Sequence, residues 1–95
     1  MAVYIIADIE VQDVPGYREY SKGVPATIEA YGGRFVARGG DIRVLEGDWT
    51  PRRLVILEFP TREAAEAWWD SPEYRPLREL RQRTSRGSLV LTDGI

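Results

Sequence analysis

The 95 residues, 43% of them hydrophobic, suffice for one domain over residues 1–95 and are too few for two. The formal net charge of −2 argues against nucleic acid as a partner, because a phosphate backbone attracts strongly basic surfaces. The sequence contains neither Cys nor His, so any chemistry must use carboxylates, Tyr, Arg, Lys or a borrowed cofactor, and no metal or cofactor site is predicted.

The first predicted strand covers Val3 to Ile9, a β-branched and aromatic run that is apolar at both alternating sets of positions except at Asp8. No basic segment precedes this run, and no apolar stretch approaches the roughly 18 residues of a membrane span. We therefore expect a cytoplasmic protein without a membrane partner.

A long helix follows the first strand, with Asp13 as its N-cap. Apolar side chains recur at spacings of three and four residues from Val14 to Tyr31, and a pair of glycines then ends the helix. Pro25 lies inside this helix, where it removes a hydrogen bond and clashes with the preceding turn. The sequence therefore predicts a kink or a break near Val24.

Two more strands are predicted in the middle of the chain. The first covers Arg34 to Arg38 and is interrupted by a second glycine pair, with a candidate continuation over Ile42 to Leu45. The second covers Arg53 to Phe59 and is apolar at both alternating sets of positions apart from Glu58. It has the strongest strand pattern in the sequence.

The last third of the chain predicts a helix in two pieces and a final strand. Thr61 caps the first piece, and Ser71, followed by a proline, starts the second. Gly87 is expected to end the helix, and Ser88 to Asp93 form the strand.

The predicted order, βαββαβ, is that of a ferredoxin-like α+β fold, in which helices cover one face of a four-stranded antiparallel sheet. The strands at residues 3–9 and 53–59 are apolar on both faces, so the face without helices also needs cover. The same face of a second copy, related by a twofold axis, supplies that cover. The sequence thus predicts a homodimer that pairs through the sheet face into a dimeric α/β barrel.

Spaced motifs between Tyr4 and Gly94 resemble the family of domain of unknown function 1330 (DUF1330). The motifs are Tyr17 and Tyr20, Gly32-Gly33-Arg34, Arg38-Gly39-Gly40, Glu46-Gly47, Glu58-Phe59-Pro60, Trp68, Ser71-Pro72-Glu73-Tyr74, Leu80-Arg81 and Asp93-Gly94. This resemblance implies the dimeric α/β-barrel superfamily with ferredoxin-like subunits. It implies no catalytic residue, because the activity of the family is not established.

Glu58 is the candidate catalytic residue, because a carboxylate within an apolar strand must be paired, hydrogen-bonded or facing a wet cavity. It would act as a general base or bind a ligand; the alternative is a structural ion pair with an arginine across the sheet. Arg34 and Arg38 share one parity of their strand and are the candidate partners, since a guanidinium group holds a carboxylate through two parallel bonds. The arginine that Glu58 leaves free would bind an anionic substrate.

Three aromatic residues join the two arginines as candidate substrate-binding residues: Tyr20, Trp68 and Tyr74. They could form a wall with hydroxyl groups against a flat ligand. Their helical spacing is equally typical of an ordinary core.

Two functions are consistent with these patterns. One is a cofactor-independent oxygenase, isomerase or lyase that acts on a small aromatic or anionic metabolite in a cavity between sheet and helices. The other is a non-catalytic module that binds or senses a small-molecule ligand. RNA binding is set aside, because the strand Arg53 to Phe59 lacks the exposed aromatic and basic signature of RNA-binding sheets.

Overall fold

Four strands and three helices make up the fold in a computed structural model that describes residues 1–95. In chain order they are β1 (Val3–Val11), α1 (Val14–Ala30), β2 (Arg34–Arg38), β3 (Arg53–Phe59), α2 (Arg62–Trp69), α3 (Arg75–Thr84) and β4 (Ser85–Asp93). This order confirms the predicted βαββαβ pattern, with the second helix in two pieces. None of the helices is both long enough and apolar enough to cross a membrane.

The strands form one antiparallel sheet in the order β2-β3-β1-β4. At its centre, Ile6 of β1 pairs with Ile56 of β3 on one side and with Val90 of β4 on the other. All three helices lie on one face of this sheet, so the predicted ferredoxin-like α+β fold is confirmed.

Alternate residues of each strand point to opposite faces of the sheet. In β1 the residues Val3, Ile5, Ala7 and Ile9 are buried beneath the helices, whereas the residues between them are partly exposed. We call the side without helices the open face. Its residues are Tyr4, Ile6 and Asp8 of β1, Leu54, Ile56 and Glu58 of β3, and Ser88, Val90 and Thr92 of β4.

Polar side chains cap the helical segments at the predicted positions. Asp13 accepts a hydrogen bond from the backbone N–H three residues further on, at 3.2 Å, and Thr61 and Ser71 do the same at 3.1 Å. Ser71 caps a turn, after which the regular helix α3 begins at Arg75. Each cap satisfies an N–H group that has no partner within its helix.

Helix α1 continues through Pro25, so of the kink or break predicted near Val24 the break does not form. Proline has no N–H, and the carbonyl of Ser21, four residues earlier, therefore loses its helical hydrogen bond. Arg38 of β2 replaces that bond, because its Nη2 donates to the Ser21 oxygen at 2.7 Å. A side chain from the neighbouring strand thus compensates for the interior proline.

This compensation predicts a coupling between Arg38 and Pro25. We expect Arg38→Met to lower the free energy of unfolding by about 1 kcal/mol, because the Ser21 carbonyl loses its partner. In a Pro25→Ala background the restored N–H bonds that carbonyl, so the same substitution should cost clearly less. Urea denaturation of the four proteins measures the coupling as a double-mutant cycle. Equal costs in both backgrounds would contradict the compensation.

The junction between α3 and β4 also differs from the prediction. The helix ends at Thr84 rather than at Gly87, and the strand begins at Ser85 rather than over Ser88–Asp93 alone. The hydroxyl groups of residues 84 and 85 donate to carbonyls of the last helical turn at 2.8 and 2.6 Å, which ends the helix there. Gly87 lies within the strand. The position requires glycine, because a Cβ atom there would collide with the backbone carbonyl of Asp8.

Residues 39–52 contain no helix or strand, so the candidate continuation of β2 over Ile42 to Leu45 is not formed. This segment is attached to the open face at Asp8. The Asp8 carboxylate accepts hydrogen bonds from Trp49 Nε1 at 2.8 Å and from the backbone N–H of Arg52 at 3.1 Å. The bonds to Asp8, together with a backbone hydrogen bond from the Gly39 N–H to the Leu54 carbonyl at 2.9 Å, hold the segment against the sheet without regular strand pairing.

Candidate ligand-binding cleft

A cleft lies between the sheet and the helices. Its floor is the helix-facing side of β1 and β3, from Ile5 to Ile9 and from Arg53 to Leu57, and α1 contributes a wall from Tyr17 to Ile28. The cavity within the cleft has a volume of about 30 Å³. Side chains therefore fill most of the cleft, and a ligand of metabolite size needs some of them to move.

The three predicted aromatic binding residues form one cluster. The rings of Trp68 and Tyr74 stack with their centroids 4.0 Å apart, and the hydroxyl groups of Tyr20 and Tyr74 are 3.0 Å apart. Trp68 Nε1 donates to Thr27 Oγ1 at 3.0 Å. Tyr20 and Trp68 line the cleft, whereas Tyr74 is completely buried behind them. The cluster is thus part of the core, and two of its members also face the cleft.

The phenol of Tyr20 keeps its proton at neutral pH. Burial, together with the neighbouring Tyr74, raises the pKa of Tyr20 well above the ordinary value of 10.0, although the charge of Arg81 opposes the shift. Tyr20 therefore offers the cleft a neutral hydroxyl group rather than a phenolate base.

Three arginine side chains reach the cleft, Arg38 from β2, Arg53 from β3 and Arg81 from α3. No acidic residue lines it, and none of these arginines takes part in a salt bridge. Arg81 is only 5% exposed, and its Nε reaches the Tyr74 hydroxyl at 3.4 Å. Arg53 Nε is buried without a hydrogen-bond partner. The cleft thus gathers positive charge that no carboxylate of the chain balances.

Arg53 and Arg81 are not among the residues predicted from the sequence. Arg53 shares the parity of Val55 and Leu57, so strict strand alternation places it on the helix side. Arg81 follows Tyr74 by two helical turns and lies on the same buried side of its helix. The surrounding arginine-rich sequence is typical of a solvated helix, which hides this signal.

A β-bulge in β2 places Arg34 and Arg38 on opposite faces, so the prediction that they share one face is wrong. The pairing with β3 shifts register between Phe35 and Ala37, which inserts one extra residue into the strand. Arg34 consequently pairs with Glu58 on the open face, whereas Arg38 lies on the helix side and lines the cleft.

Glu58 lies on the open face, away from the cleft. Arg34 Nε donates to its Oε1 at 2.6 Å, and the Tyr4 hydroxyl donates to its Oε2 at 3.2 Å. The hydrogen bond to Glu58 raises the pKa of Tyr4. These contacts correspond to the structural ion pair that the sequence analysis gives as the alternative to a catalytic role for Glu58. Its catalytic role stays a prediction and requires a ligand on the open face, since this carboxylate is not part of the cleft lining.

Sequence comparison places the chain in a family, because the model of Domain of unknown function (DUF1330) matches residues 2–95. The chain belongs to the DUF1330 family. The resemblance inferred from the spaced motifs is therefore confirmed. No curated protein matches this DUF1330 chain in sequence.

Solved structures share the fold of this DUF1330 protein. RPA0582 from Rhodopseudomonas palustris, a protein of unknown function, has a TM-score of 0.80 at 18% identity, covering 99% of this chain and 82% of that one. SnoaB from Streptomyces nogalater, a cofactor-independent oxygenase, has a TM-score of 0.68 at 12% identity, with coverages of 99% and 93%. A protein from Nitrosomonas europaea, described as a candidate antibiotic biosynthesis monooxygenase, has a TM-score of 0.61 at 17% identity, with coverages of 99% and 90%. At these identities the similarity establishes the fold alone.

Proposed function

We propose that this DUF1330 protein binds a small aromatic or anionic molecule in the cleft between its sheet and its helices. The observation that carries the proposal is the cleft itself, where a few polar side chains, among them Tyr20, Arg53 and Arg81, meet a mostly apolar lining. Ligand pockets combine such a lining with a few polar groups that orient the ligand. A core that serves packing alone pairs its charges, whereas the arginines that line this cleft form no salt bridge.

Filling the floor of the cleft tests the proposal. Ala7 is 6% exposed and lies on that floor, so Ala7→Val adds two methyl groups where the ligand would lie. We expect phenol or benzoate to raise the melting temperature of the wild type and to have little effect on the variant. A ligand at about 100 times its Kd stabilises a protein by about 2.7 kcal/mol.

Ala26→Val on the exposed side of α1 is the matched control, and it should respond to these compounds like the wild type. A wild type that responds to neither compound would count against the proposal. An equal response of the Ala7→Val protein would place the binding site outside the cleft.

Turnover without a cofactor is the catalytic form of this proposal. Its support is the fold shared with a neighbour named as a cofactor-independent oxygenase. A non-catalytic binding or sensing module is the alternative. Incubation of a bound aromatic compound under ¹⁸O-labelled dioxygen distinguishes the two, because an oxygenase yields a labelled product and a binding module returns the compound unchanged.

We further propose that the protein pairs with a second copy of itself through the open face. The chain is a slab of 35 × 32 × 17 Å, so one of its two broad sides is a sheet surface without helices. The apolar residues Ile6, Ile56 and Val90 form a row across the centre of that surface, and Val90 is 58% exposed. Twofold pairing buries the open faces of two copies against each other. It thereby removes apolar surface from water, of which a small domain alone buries a smaller share than a large one.

A further inference from the structure

We infer that Arg53 and Arg81 bind the carboxylate of a planar organic acid in the cleft, with Arg38 beside them. This inference rests on the proposed binding function and names the chemical class of the ligand. It assigns a role to two residues that contact aromatic rings but form no salt bridge within the chain.

The first argument is the burial of charge without an anionic partner. Arginine is rarely buried unless its charge is paired, because removing a cation from water is costly. Arg81 is 5% exposed, and its hydrogen-bond partner is the neutral hydroxyl of Tyr74 at 3.4 Å. The Nε atom of Arg53 is buried without a hydrogen-bond partner, although the residue as a whole is partly exposed and its guanidinium carbon lies 5.7 Å from the ring centroid of Tyr17. The salt bridges of the chain use other cations, namely Lys22, Arg34, Arg52 and Arg62.

The second argument is that the fold places both arginines in the lining of one cleft. Arg53 pairs with Ile9 of β1, and Ile9 pairs with Gly87 of β4. Arg81 lines a hollow together with Gly87 and also lines the cleft together with Ile9. Arg53 therefore lies at the Ile9 end of the cleft, and Arg81 lines the same cleft from the helix layer.

The remaining lining determines what the anion is attached to. Apart from the arginines and Ser21, the walls are aliphatic and aromatic, with Tyr17, Tyr20 and Trp68 among them. A flat apolar ring fits such a lining, and a guanidinium group binds a planar carboxylate through two parallel hydrogen bonds. An aromatic or unsaturated carboxylate satisfies both parts of the cleft.

Benzoate and benzamide test the inference because they have almost the same size and shape and differ in charge. By isothermal titration calorimetry we expect the wild type to bind benzoate at least about tenfold more tightly than benzamide, as charged hydrogen bonds are the stronger ones. Arg53→Met and Arg81→Met should each weaken benzoate binding by about tenfold or more and leave benzamide binding nearly unchanged. Arg34→Met on the open face is the matched control and should leave both affinities unchanged.

The melting temperature without ligand provides a second readout. Methionine keeps much of the apolar stem of arginine and removes an unpaired charge, so both variants should be at least as stable as the wild type. A lower melting temperature with unchanged benzoate affinity would show a structural role for these arginines and overturn the inference.

Two further results would also overturn it. If benzamide binds as tightly as benzoate, the cleft binds aromatic molecules without selecting acids, and the proposed function stands. If the wild type binds neither compound, there is no acid site, and the response of the wild type and of Ala7→Val to phenol then decides the proposed function separately.

Discussion

Val90→Asp should convert a homodimer of twice 10.8 kDa into a 10.8 kDa monomer at micromolar concentration. In a single chain this side chain is 58% exposed, so a carboxylate there costs the folded monomer little. In the proposed dimer it lies between two sheets, where burying an unpaired charge costs several kcal/mol. We expect the dissociation constant to rise by at least about 100-fold, and sedimentation velocity measures the change.

Val14→Asp is the matched control for this experiment. It introduces the same charge at a valine of similar exposure, 55%, but on α1 in the helix layer. This variant should remain a dimer, because the open face is intact. A wild type that sediments as a monomer, or a Val90→Asp protein that remains a dimer while circular dichroism shows it folded, would contradict pairing through the open face.

The fold is predictable from the sequence where its cause is local. The two-sided apolar pattern of residues 3–9 and 53–59, together with the caps at Asp13, Thr61 and Ser71, is sufficient to predict the element order and the face that lacks helices. The continuity of α1 through Pro25 cannot be predicted from local sequence. It depends on a hydrogen bond from Arg38, a residue of another element, to the carbonyl that Pro25 leaves unpaired.

The candidate site also has features that the sequence predicts and features that it does not. Pairing of Glu58 with an arginine across the sheet follows from the cost of an unpaired carboxylate in an apolar strand. Which arginine, Arg34 or Arg38, pairs with Glu58 cannot be predicted in this way. The extra residue of the bulge in β2 moves Arg38 to the opposite face of the sheet. Arg81 is hidden for a different reason, since its position within an arginine-rich helix looks solvated until the sheet is packed against it.

Trp68→Ala should lower the free energy of unfolding by about 3–5 kcal/mol, the largest stability effect expected of a single substitution in this chain. Trp68 is 1% exposed, stacks on Tyr74 at 4.0 Å and lies 5.5 Å from the ring of Phe59. Alanine would leave a large cavity among these rings and would remove the donor that Thr27 Oγ1 accepts from. Because small domains have a total stability of about 5–15 kcal/mol, this loss is a large fraction of the whole and should lower the urea midpoint strongly.

Two further substitutions separate the contributions of Trp68. Trp68→Phe keeps a ring in the stack and loses the indole N–H, so it should cost less than Trp68→Ala. Trp49→Ala is the matched control, because this tryptophan is 59% exposed and its loss removes only an exposed hydrogen bond to Asp8, which is worth about 1 kcal/mol. Urea denaturation followed by circular dichroism ranks the three proteins, and similar costs at positions 49 and 68 would contradict a core role for Trp68.

The Trp68→Phe variant also tests whether Trp68 contacts a ligand in the cleft. A folded Trp68→Phe protein with weakened benzoate binding would show that the indole ring contacts the ligand as well as the core.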